Sequence, residues 1–599
     1  MAGDWTRGPV VARPGWTLVE RRHALTVKAT FAMFGVGLAL TAPMGCRRSR
    51  LPPKPDGAAV VIAAEPTPES GFTMADEVEP NDLLANAQGL TPTLETGVGV
   101  VGRLVSAPGA RSKDVDLFRI LVPAPPVVVA GPDGAVPVMR QRLRIEAHPD
   151  PGQTVSVDIL DDEGRVQVGA VGATPGEAEG IPNLSVVPGG VFVRVRPGSL
   201  AAAAASATPN PDPSRKAPAA PSPGGYRLTV RLLPVEVGDE IEPNGKGPLA
   251  SDVAADGDVA GYLGWRHDED WFRIPTAGLP EGGVLSIDLD PVEGVAASLA
   301  VYDSVQHKMI EQHGRRGDRV ALRNVRLPSS DPNVYVVVAA DTGRNLDARY
   351  TLHLHTEDAK ADVELEPNDD PAHAVPMADG TSTGTLGPGD ADVFRYTAPG
   401  PTELNVELVP PPHVDAKLEV LRDDGTVVMK VDSGKRGVAE RVANLYVAGT
   451  TLLRLSPAKK GDGNLDEPYR ITLTGRPIEA GAEREPNGSA PTATPLPAGT
   501  TGGGLIFPRG DVDFWNVATS GQDASLNIAV RGIAGMKLDL RVHATTSGRE
   551  LARFQVGGDG SAPTRVTPQP TEGCCLIQVR ETTGRGANPK ERYAISVAP

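Results

Sequence analysis

The 599-residue chain has few cysteines, few aromatic residues and no surplus of basic residues. Its 3 cysteines are too few for the disulfide framework that stabilises small secreted domains. Aromatic residues make up 4% of the chain, while 68 glycines and 58 prolines favour turns and strands over helices. The net charge of −16 disfavours contact with phosphate backbones, so we expect no nucleic-acid partner. Hard metal cations and polycations are the natural partners of such an acidic surface.

Common catalytic signatures are also missing from the sequence. No HExxH or GxxxxGK[ST] motif occurs, and these motifs mark zinc peptidases and phosphate-binding loops. His353 and His355 share a strand face and offer two zinc ligands, although solvent-facing strand residues are the simpler interpretation. Paired acids perform glycoside hydrolysis in other proteins. Here they recur in one turn context, which favours a role in the fold, and we expect no enzyme and no catalytic residue.

The first 45 residues differ from the rest because they carry a local net charge of +3. The 17 uncharged residues from Ala29 to Gly45 then lead directly to Cys46. A basic segment, an apolar stretch and small residues before a cut site are typical of an export signal, and the stretch is short for a membrane span of about 20 residues. Residues 1–45 therefore predict a signal peptide. Plain secretion and an uncleaved anchor are the alternatives.

Cys46 follows the residues "APMG", a position that resembles the lipid-modified cysteine of bacterial lipoproteins. The pattern departs from that family at Pro43, where leucine is usual, and at the basic run "RRSR" after the cysteine. The resemblance implies lipidation of Cys46 and a membrane anchor in the bacterial cell envelope, with secretion as the second choice. The other two cysteines, Cys574 and Cys575, are adjacent, and neighbours on a strand point to opposite faces. We therefore expect two free thiols there.

An acidic turn of the form E-x-E-P-N recurs four times, as "EVEPND", "EIEPNG", "ELEPND" and "EREPNG". The spacings between successive second glutamates are 163, 124 and 119 residues, which is too long for a solenoid repeat of about 20–50 residues. Each unit then shows a glycine-containing strand start, an aspartate pair beside an aromatic residue, alternating apolar runs and a closing tyrosine strand. The order of these features is the same in all four units, so each unit is the size of a small domain.

Apolar residues alternate with polar ones over five to seven positions in runs such as "LRIEAH" and "LNVELV". Such runs, bounded by Gly, Asp and Pro, are typical of half-buried strands, and no stretch has clear helical periodicity. The sequence predicts an all-β protein of four tandem antiparallel, jelly-roll-like β-sandwiches arranged as beads on a string. The closing tyrosine is expected to fill the core while its hydroxyl finds a partner at the rim.

The predicted domain boundaries follow from these repeats. A disordered tether covers residues 46–75, and a low-complexity, disordered insertion covers 199–224 inside the first unit. The sandwiches are predicted at residues 76–236, 237–359, 360–478 and 479–599.

These repeated elements resemble the bacterial pre-peptidase C-terminal domain and, more distantly, the collagen-binding domains of clostridial collagenases. The resemblance covers roughly residues 76–599 and depends on the acidic turn, the later D-x-D-x-F/W motif and the closing tyrosine strand. It implies a small sandwich fold and, as in the calcium-binding relatives, calcium ligands from the turn carboxylates, the asparagine and the later aspartates. No peptidase-sized segment accompanies the four units.

Residue chemistry also favours a calcium site. Glutamates two apart in an extended segment point the same way, proline fixes the backbone, and asparagine turns its amide oxygen back. Calcium accepts six to eight such oxygens. The alternative is a metal-free turn, since "EPND" is a good turn sequence, and the second and fourth units lack one carboxylate at Gly245 and Gly488. The candidate metal ligands are Glu77, Glu79, Asn81, Asp82, Asp114 and Asp116; Glu240, Glu242, Asn244, Asp268 and Asp270; Glu364, Glu366, Asn368, Asp369, Asp390 and Asp392; and Glu483, Glu485, Asn487, Asp511 and Asp513.

The sequence thus favours a non-enzymatic lipoprotein that acts as a multidomain binding or spacer array, with calcium as a structural ion. Polysaccharide or a fibrous extracellular protein is the partner class that the resemblance implies. The alternative is an accessory subunit of a secreted peptidase, or a cryptic hydrolase.

Overall fold

The computed structural model describes residues 71–105, 114–123, 141–186, 190–199, 224–280, 282–328, 331–517, 525–557, 564–567 and 573–598. The predicted signal peptide, Cys46 and residues 200–223 of the predicted insertion lie outside the described residues, as does the tether up to residue 70. Residues 68–599 belong to one compact unit. Within the described part of the chain no helix has the length and apolar character needed to cross a membrane.

Strands dominate the described residues, and each of the four predicted segments contains two facing sheets. The first sandwich contains β1 (Phe72–Asp76), β2 (Gln88–Leu90), β3 (Gly97–Leu104), β4 (Asp116–Ile120), β5 (Gln141–Pro149), β6 (Val155–Leu160), β7 (Val166–Ala170), β8 (Glu179–Ser185), β9 (Val191–Pro197) and β10 (Gly224–Pro234). Its sheets have the strand orders β1-β3-β10-β5-β8 and β2-β4-β9-β6-β7.

The second sandwich repeats this plan without the extra edge strand. It contains β11 (Ser251–Asp252), β12 (Gly257–Gly261), β13 (Glu269–Pro275), β14 (Gly283–Leu289), β15 (Ala296–Tyr302), β16 (Lys308–His313), β17 (Val320–Arg326), β18 (Asn333–Thr342) and β19 (Tyr350–Asp358). The strand orders are β12-β19-β14-β17 and β11-β13-β18-β15-β16.

The third and fourth sandwiches have the same topology as the second. The third contains β20 (Val375–Pro376), β21 (Gly380–Leu386), β22 (Asp392–Thr397), β23 (Thr402–Val409), β24 (Ala416–Leu421), β25 (Val427–Val431), β26 (Glu440–Val447), β27 (Thr450–Pro457) and β28 (Asn464–Pro477). The fourth contains β29 (Thr494–Pro495), β30 (Thr501–Ile506), β31 (Val512–Asn516), β32 (Leu526–Arg531), β33 (Leu538–Ala544), β34 (Glu550–Val556), β35 (Thr564–Val566), β36 (Cys574–Glu581) and β37 (Asn588–Ala598). Their sheets are β21-β28-β23-β26 with β20-β22-β27-β24-β25, and β30-β37-β32-β35 with β29-β31-β36-β33-β34.

The prediction of an all-β chain of four sandwiches is confirmed, with one addition to the strand pairing. Most pairs are antiparallel, but each sandwich has a parallel pair at one edge, such as β2 with β4 and β11 with β13. The chain crosses to the other sheet between these two strands, so both run in the same direction. The helical segments seen in the described residues are three short 3-10 turns, Leu84–Asn86, Gly247–Leu249 and Ala490–Thr492.

Side-chain alternation explains why these segments form half-buried strands. In β5 and β23 every second residue is buried, and the residues between them are partly exposed. An aromatic residue after each aspartate pair fills the core, and so does each closing tyrosine. These core residues are Phe118, Phe272, Phe394 and Trp515, with Tyr226, Tyr350, Tyr469 and Tyr593.

Two predictions differ from the structure at the level of single segments. The tether was predicted to reach residue 75, but Phe72–Asp76 forms β1 and pairs in parallel with β3. The Phe72 ring packs under the Arg231 guanidinium, 4.7 Å from its centroid, which holds this strand on the sheet edge. The prediction of two free thiols is also wrong, because Cys574 and Cys575 form a disulfide across a cis peptide bond and are both buried. The register of β36 against β33 shifts at this pair, so the regular alternation on which the prediction relied does not hold there.

Candidate metal centres

Each acidic turn brings its two glutamates close to one aspartate from the following aspartate pair. In every copy one carboxylate oxygen from each of the three residues lies within 4.8 Å of the others. We call these groups the first to fourth clusters. They are Glu77, Glu79 and Asp116; Glu240, Glu242 and Asp270; Glu364, Glu366 and Asp392; and Glu483, Glu485 and Asp513.

The turn backbone aims these carboxylates inward. The peptide bond between the second glutamate and the proline is cis in all four copies. The following asparagine donates its backbone N–H to that glutamate, at 2.9 Å in the first copy and 2.8 Å in the second. The asparagine side chain also lies against the cluster, since Asn81 Nδ2 is 3.0 Å from Glu77 Oε1 and Asn244 Nδ2 is 2.8 Å from Glu240 Oε1.

The closing tyrosine of each sandwich lies in the core and donates a hydrogen bond from its hydroxyl to a carboxylate of the cluster. Tyr226 donates to Asp116 Oδ2 at 2.6 Å, Tyr350 to Asp270 Oδ2 at 2.8 Å and Tyr593 to Asp513 Oδ2 at 2.7 Å. In the third sandwich Tyr469 donates instead to Glu364 Oε2 at 2.5 Å. The predicted hydroxyl partner therefore exists, but it is a buried carboxylate and not a group on the rim.

One glycine in each of the strands β3, β12, β21 and β30 leaves room for this arrangement. A Cβ added at any of them would overlap the tyrosine ring or a cluster carboxylate. At Gly384 the overlap would be with the Glu364 carboxylate, and at Gly261 with the Tyr350 hydroxyl. The four glycines are Gly102, Gly261, Gly384 and Gly504.

The remaining predicted ligands lie at the edge of the clusters and accept backbone hydrogen bonds. Asp268 Oδ2 accepts from Gly264 N at 2.7 Å, and Asp390 and Asp511 accept from Gly387 N and Phe507 N at 2.8 and 2.7 Å. Asp114 likewise accepts from Val105 N. These contacts stabilise the turn before the strand, and the second oxygen of Asp268, Oδ1, accepts no hydrogen bond.

Asp82 and Asp369, predicted as additional carboxylates, lie outside the groups of three. Each is exposed and accepts one backbone N–H at 3.3 Å, from Val115 and Ala391 respectively. The glycines that replace them in the second and fourth copies therefore remove a turn contact and one carboxylate beside the cluster, while the group of three remains.

Burial and mutual repulsion make these carboxylates unfavourable as bare anions. Burial raises the pKa of Asp116 to about 9, with further contributions from Glu77 and Asp114. Burial also raises the pKa of Glu242 to about 8, and the Asp270 charge adds to the shift. The same causes raise the pKa of Glu366 and of Asp513. A cation between the carboxylates would remove this penalty, because it neutralises the charge that burial disfavours.

Unpartnered oxygens in the clusters fit a bound cation. All four turn asparagines have no exposed surface, and the Oδ1 atom of each accepts no hydrogen bond: Asn81, Asn244, Asn368 and Asn487. One carboxylate oxygen of Asp116, of Asp270 and of Asp513 is in the same condition. Buried oxygens are almost always satisfied in folded proteins, and in each sandwich these unpartnered oxygens are concentrated at one place. The donor set consists of carboxylate and amide oxygens, which suits a hard cation such as calcium.

The first cluster is more open than the other three. Glu79 is exposed, whereas its counterparts Glu242, Glu366 and Glu485 are 2%, 5% and 4% exposed. The difference arises because an edge strand of the preceding sandwich covers each of the later turns. Parallel bridges join Leu184 with Glu242, Val325 with Glu366 and Leu445 with Glu485.

Sequence reasoning missed two buried asparagines that reach the clusters from the preceding sandwich. Asn183 Nδ2 donates to Glu240 Oε2, and Asn444 Nδ2 donates to Glu483 Oε1. The signal was present, because an asparagine recurs in "IPNLS", "LRNVR" and "VANLY" at the same place in the first three units.

The two histidines considered as zinc ligands do not converge on one point. His353 Nδ1 lies 2.7 Å from Asp258, while His355 Nδ1 lies 3.1 Å from Asp256. Each imidazole thus pairs with its own surface carboxylate, which agrees with the solvent-facing interpretation.

Comparison with known proteins gives no functional assignment. No protein family matches the sequence, and no curated protein matches it. A structure of the triple jelly roll fold and turret assembly in an archaeal virus is 11% identical, with 55% of this chain and 81% of that chain covered and a TM-score of 0.17. A Paenibacillus xanthan lyase is 9% identical, with 71% and 43% covered and a TM-score of 0.14. TM-scores this low carry no argument about function.

Proposed function

We propose that the chain is a non-enzymatic, calcium-stabilised array of four sandwiches that serves as a binding or spacer protein of the bacterial cell envelope. The observation that carries this proposal is the acidic cluster at the start of every sandwich, buried in three of the four, where carboxylates and unpartnered amide oxygens converge. The proposed anchor is a lipid on Cys46, which follows from the sequence of residues 1–46 alone.

Calcium is the cation that these donors favour. Three carboxylates and an asparagine oxygen, joined in the second cluster by the unpartnered Oδ1 of Asp268, supply mostly anionic ligands without fixed angles, which suits the flexible coordination of calcium. Magnesium demands a near-octahedral shell and usually keeps several waters, which is harder to arrange in a buried group. Bound calcium would supply positive charge that offsets the repulsion between the carboxylates.

The same geometry argues against using the acids for hydrolysis. A glycosidase needs two carboxyl groups on either side of an accessible sugar. Here Asp270 and Asp513 are fully buried, and each accepts a hydrogen bond from a core tyrosine. Both residues therefore support a structural role.

Resemblance to pre-peptidase and collagen-binding domains suggests the partner class, which is polysaccharide or a fibrous extracellular protein. Four tandem copies would raise avidity through local concentration, even if each sandwich bound weakly. An array of immobilised glycans and matrix proteins, probed with the chain in calcium buffer, tests this assignment. Turnover of a glycan or of casein that a single side-chain change abolishes would overturn the non-enzymatic part.

Thermal unfolding tests the calcium part. We expect a higher melting temperature in millimolar calcium than in chelator. At a calcium concentration a hundredfold above Kd, each occupied site should add roughly 3 kcal/mol to the free energy of unfolding. Glu366→Gln should reduce this calcium effect, while Glu467→Gln, which changes an exposed acid of the same sandwich, should retain it. Identical curves in calcium and in chelator would contradict the proposal. For the anchor, Cys46→Ser should release the protein from membranes.

A further inference from the structure

Three of the four clusters lie where one sandwich meets the next. Edge strand β8 of the first sandwich bonds to the second acidic turn, with Glu242 N donating to Asn183 O at 3.1 Å and Ser185 N donating to Glu242 O at 2.8 Å. Strands β17 and β26 make the equivalent contacts, since Arg326 N donates to Glu366 O and Tyr446 N donates to Glu485 O, both at 2.8 Å. The backbone that presents the second glutamate is therefore held by the preceding sandwich.

Each of these edge strands is irregular beside an asparagine. The register of β8, β17 and β26 shifts there, which places Asn183, Asn324 and Asn444 one residue before the bridged position. Asn183 and Asn444 are each 1% exposed, and Asn324 lines a small cavity with Glu364. The bulge thus places one amide of the preceding sandwich at each following cluster.

The amide contacts are incomplete in a way that indicates a further ligand. Asn183 Nδ2 donates to the Glu240 carboxylate and Asn444 Nδ2 to the Glu483 carboxylate, while the Oδ1 atom of both residues accepts no hydrogen bond. An unsatisfied buried amide oxygen is costly, and it is a good calcium ligand.

We propose that the asparagine of one sandwich completes the cation site of the next, so that cation binding fixes neighbouring sandwiches to each other. This inference rests on the proposed function, because it requires the clusters to bind calcium. A site whose ligands come from two domains binds tightly only when the domains are docked, so the binding free energy also stabilises the junction. Without the cation, the buried carboxylates repel one another and the junction opens more often.

Other contacts hold neighbouring sandwiches together without the cation. Loss of the cation is therefore expected to make each junction open more often, and not to separate the sandwiches permanently. Arg592 makes two hydrogen bonds to Glu403 across the third junction, at 2.9 and 2.8 Å. Arg315 Nη2 donates to Gly461 O at 3.1 Å across the second.

Hydrogen exchange of the full chain, combined with calcium titration, tests the proposal. In the wild type we expect calcium to slow exchange of the Ser185 and Glu242 amides. Asn183→Ala should weaken one site about tenfold and abolish this slowing at the first junction. The Tyr446 amide at the third junction should still respond and serves as an internal control. Ser185→Ala changes an exposed side chain of the same strand and should behave like the wild type.

Asn183→Asp separates a ligand from a simple hydrogen-bond donor. Aspartate keeps an oxygen but cannot donate to Glu240, so we expect calcium to restore junction protection and chelator to weaken it beyond the wild type. The inference would be overturned if Asn183→Asp left the junction amides unprotected in calcium and in chelator alike. It would also be overturned if Asn183→Ala left calcium affinity and amide protection unchanged. Both results would leave calcium binding itself intact. Absence of any calcium response in the wild type would instead overturn the proposed function.

Discussion

At the scale of single residues, Glu179 shows how burial without hydrogen bonds controls a charge. This β8 residue is 1% exposed, and Arg344 Nη2 of the second sandwich lies 3.0 Å from its Oε1 atom. Neither carboxylate oxygen accepts a hydrogen bond, so the ion pair compensates burial only in part. Burial raises the Glu179 pKa to about 7, and the Arg344 charge opposes the shift.

This shift predicts a pH dependence of stability. Between the unfolded pKa of 4.5 and the folded pKa of about 7, the folded state holds a proton that the unfolded state has lost. Stability from Glu179 is therefore complete below the lower pKa and is lost as pH rises through the higher one, by up to about 3 kcal/mol. Relative to Glu179→Gln, the wild type should lose unfolding free energy between pH 5 and pH 8.

Denaturant unfolding of the wild type and of Glu179→Gln in saturating calcium measures this difference. The four acidic clusters are the same in both proteins, so their contribution to the pH dependence cancels. Glu177→Gln, an exposed acid whose carboxylate is 3.4 Å from Arg344, controls for loss of charge beside that guanidinium. A difference between wild type and Glu179→Gln that stays constant over this pH range would contradict the assignment.

At the scale of strands and turns, one glycine in each of β3, β12, β21 and β30 decides whether a cluster forms. A Cβ at Gly384 would overlap the Glu364 carboxylate, which also accepts the Tyr469 hydroxyl. We expect Gly384→Ala to destabilise the third sandwich by about 1–3 kcal/mol and to weaken its proposed calcium site, because the carboxylate must move. Gly400→Ala in the same sandwich meets no atom within 4 Å and should have little effect. Calcium titration and denaturant unfolding of both variants check this, and equal behaviour would contradict it.

Most of the strands and the division into four sandwiches could be predicted from the sequence, because the alternation of apolar residues and the spacing of motifs are local properties. The alternating runs gave the strands, and the repeated order of motifs gave four sandwiches. The two turn glutamates were also predicted to point the same way, because residues two apart in an extended segment share a face, and the family resemblance grouped both aspartates with them. The repeated glycine was noticed, but its contact with a carboxylate depends on packing between strands that are far apart in sequence.

Other features could not be deduced because they depend on tertiary packing or on an unusual backbone. Asn183 and Asn444 contact glutamates of the next sandwich, and nothing within one unit indicates that contact. The exposed position of Asp82 follows from the direction of the turn, which residue type alone does not specify. The Cys574–Cys575 bond lies at a register shift of β36 against β33, which the residue types of the strand do not specify.

At the scale of the whole molecule, the four clusters divide by coverage and not by the number of carboxylates. The second, third and fourth turns bond to a preceding edge strand, while the described residues place no such strand against the first. Glu79 consequently remains exposed and Asn81 stays buried. An open site keeps more water on its cation and shares no binding energy with a junction, so it should bind more weakly.

We therefore expect terbium, a hard ion that replaces calcium, to bind the full chain in two classes. Emission decays in light and heavy water should report three sites with few bound waters and one weaker site with more. Glu79→Gln should remove the weak, hydrated class alone, because its carboxylate belongs to the first cluster. Glu95→Gln changes an exposed acid of the same sandwich and should leave both classes unchanged. Four indistinguishable sites would mean that coverage by the preceding sandwich does not control affinity. If instead the first and third sites bound terbium alike and differed from the second and fourth, Asp82 and Asp369, which only those two sandwiches have, would act as ligands.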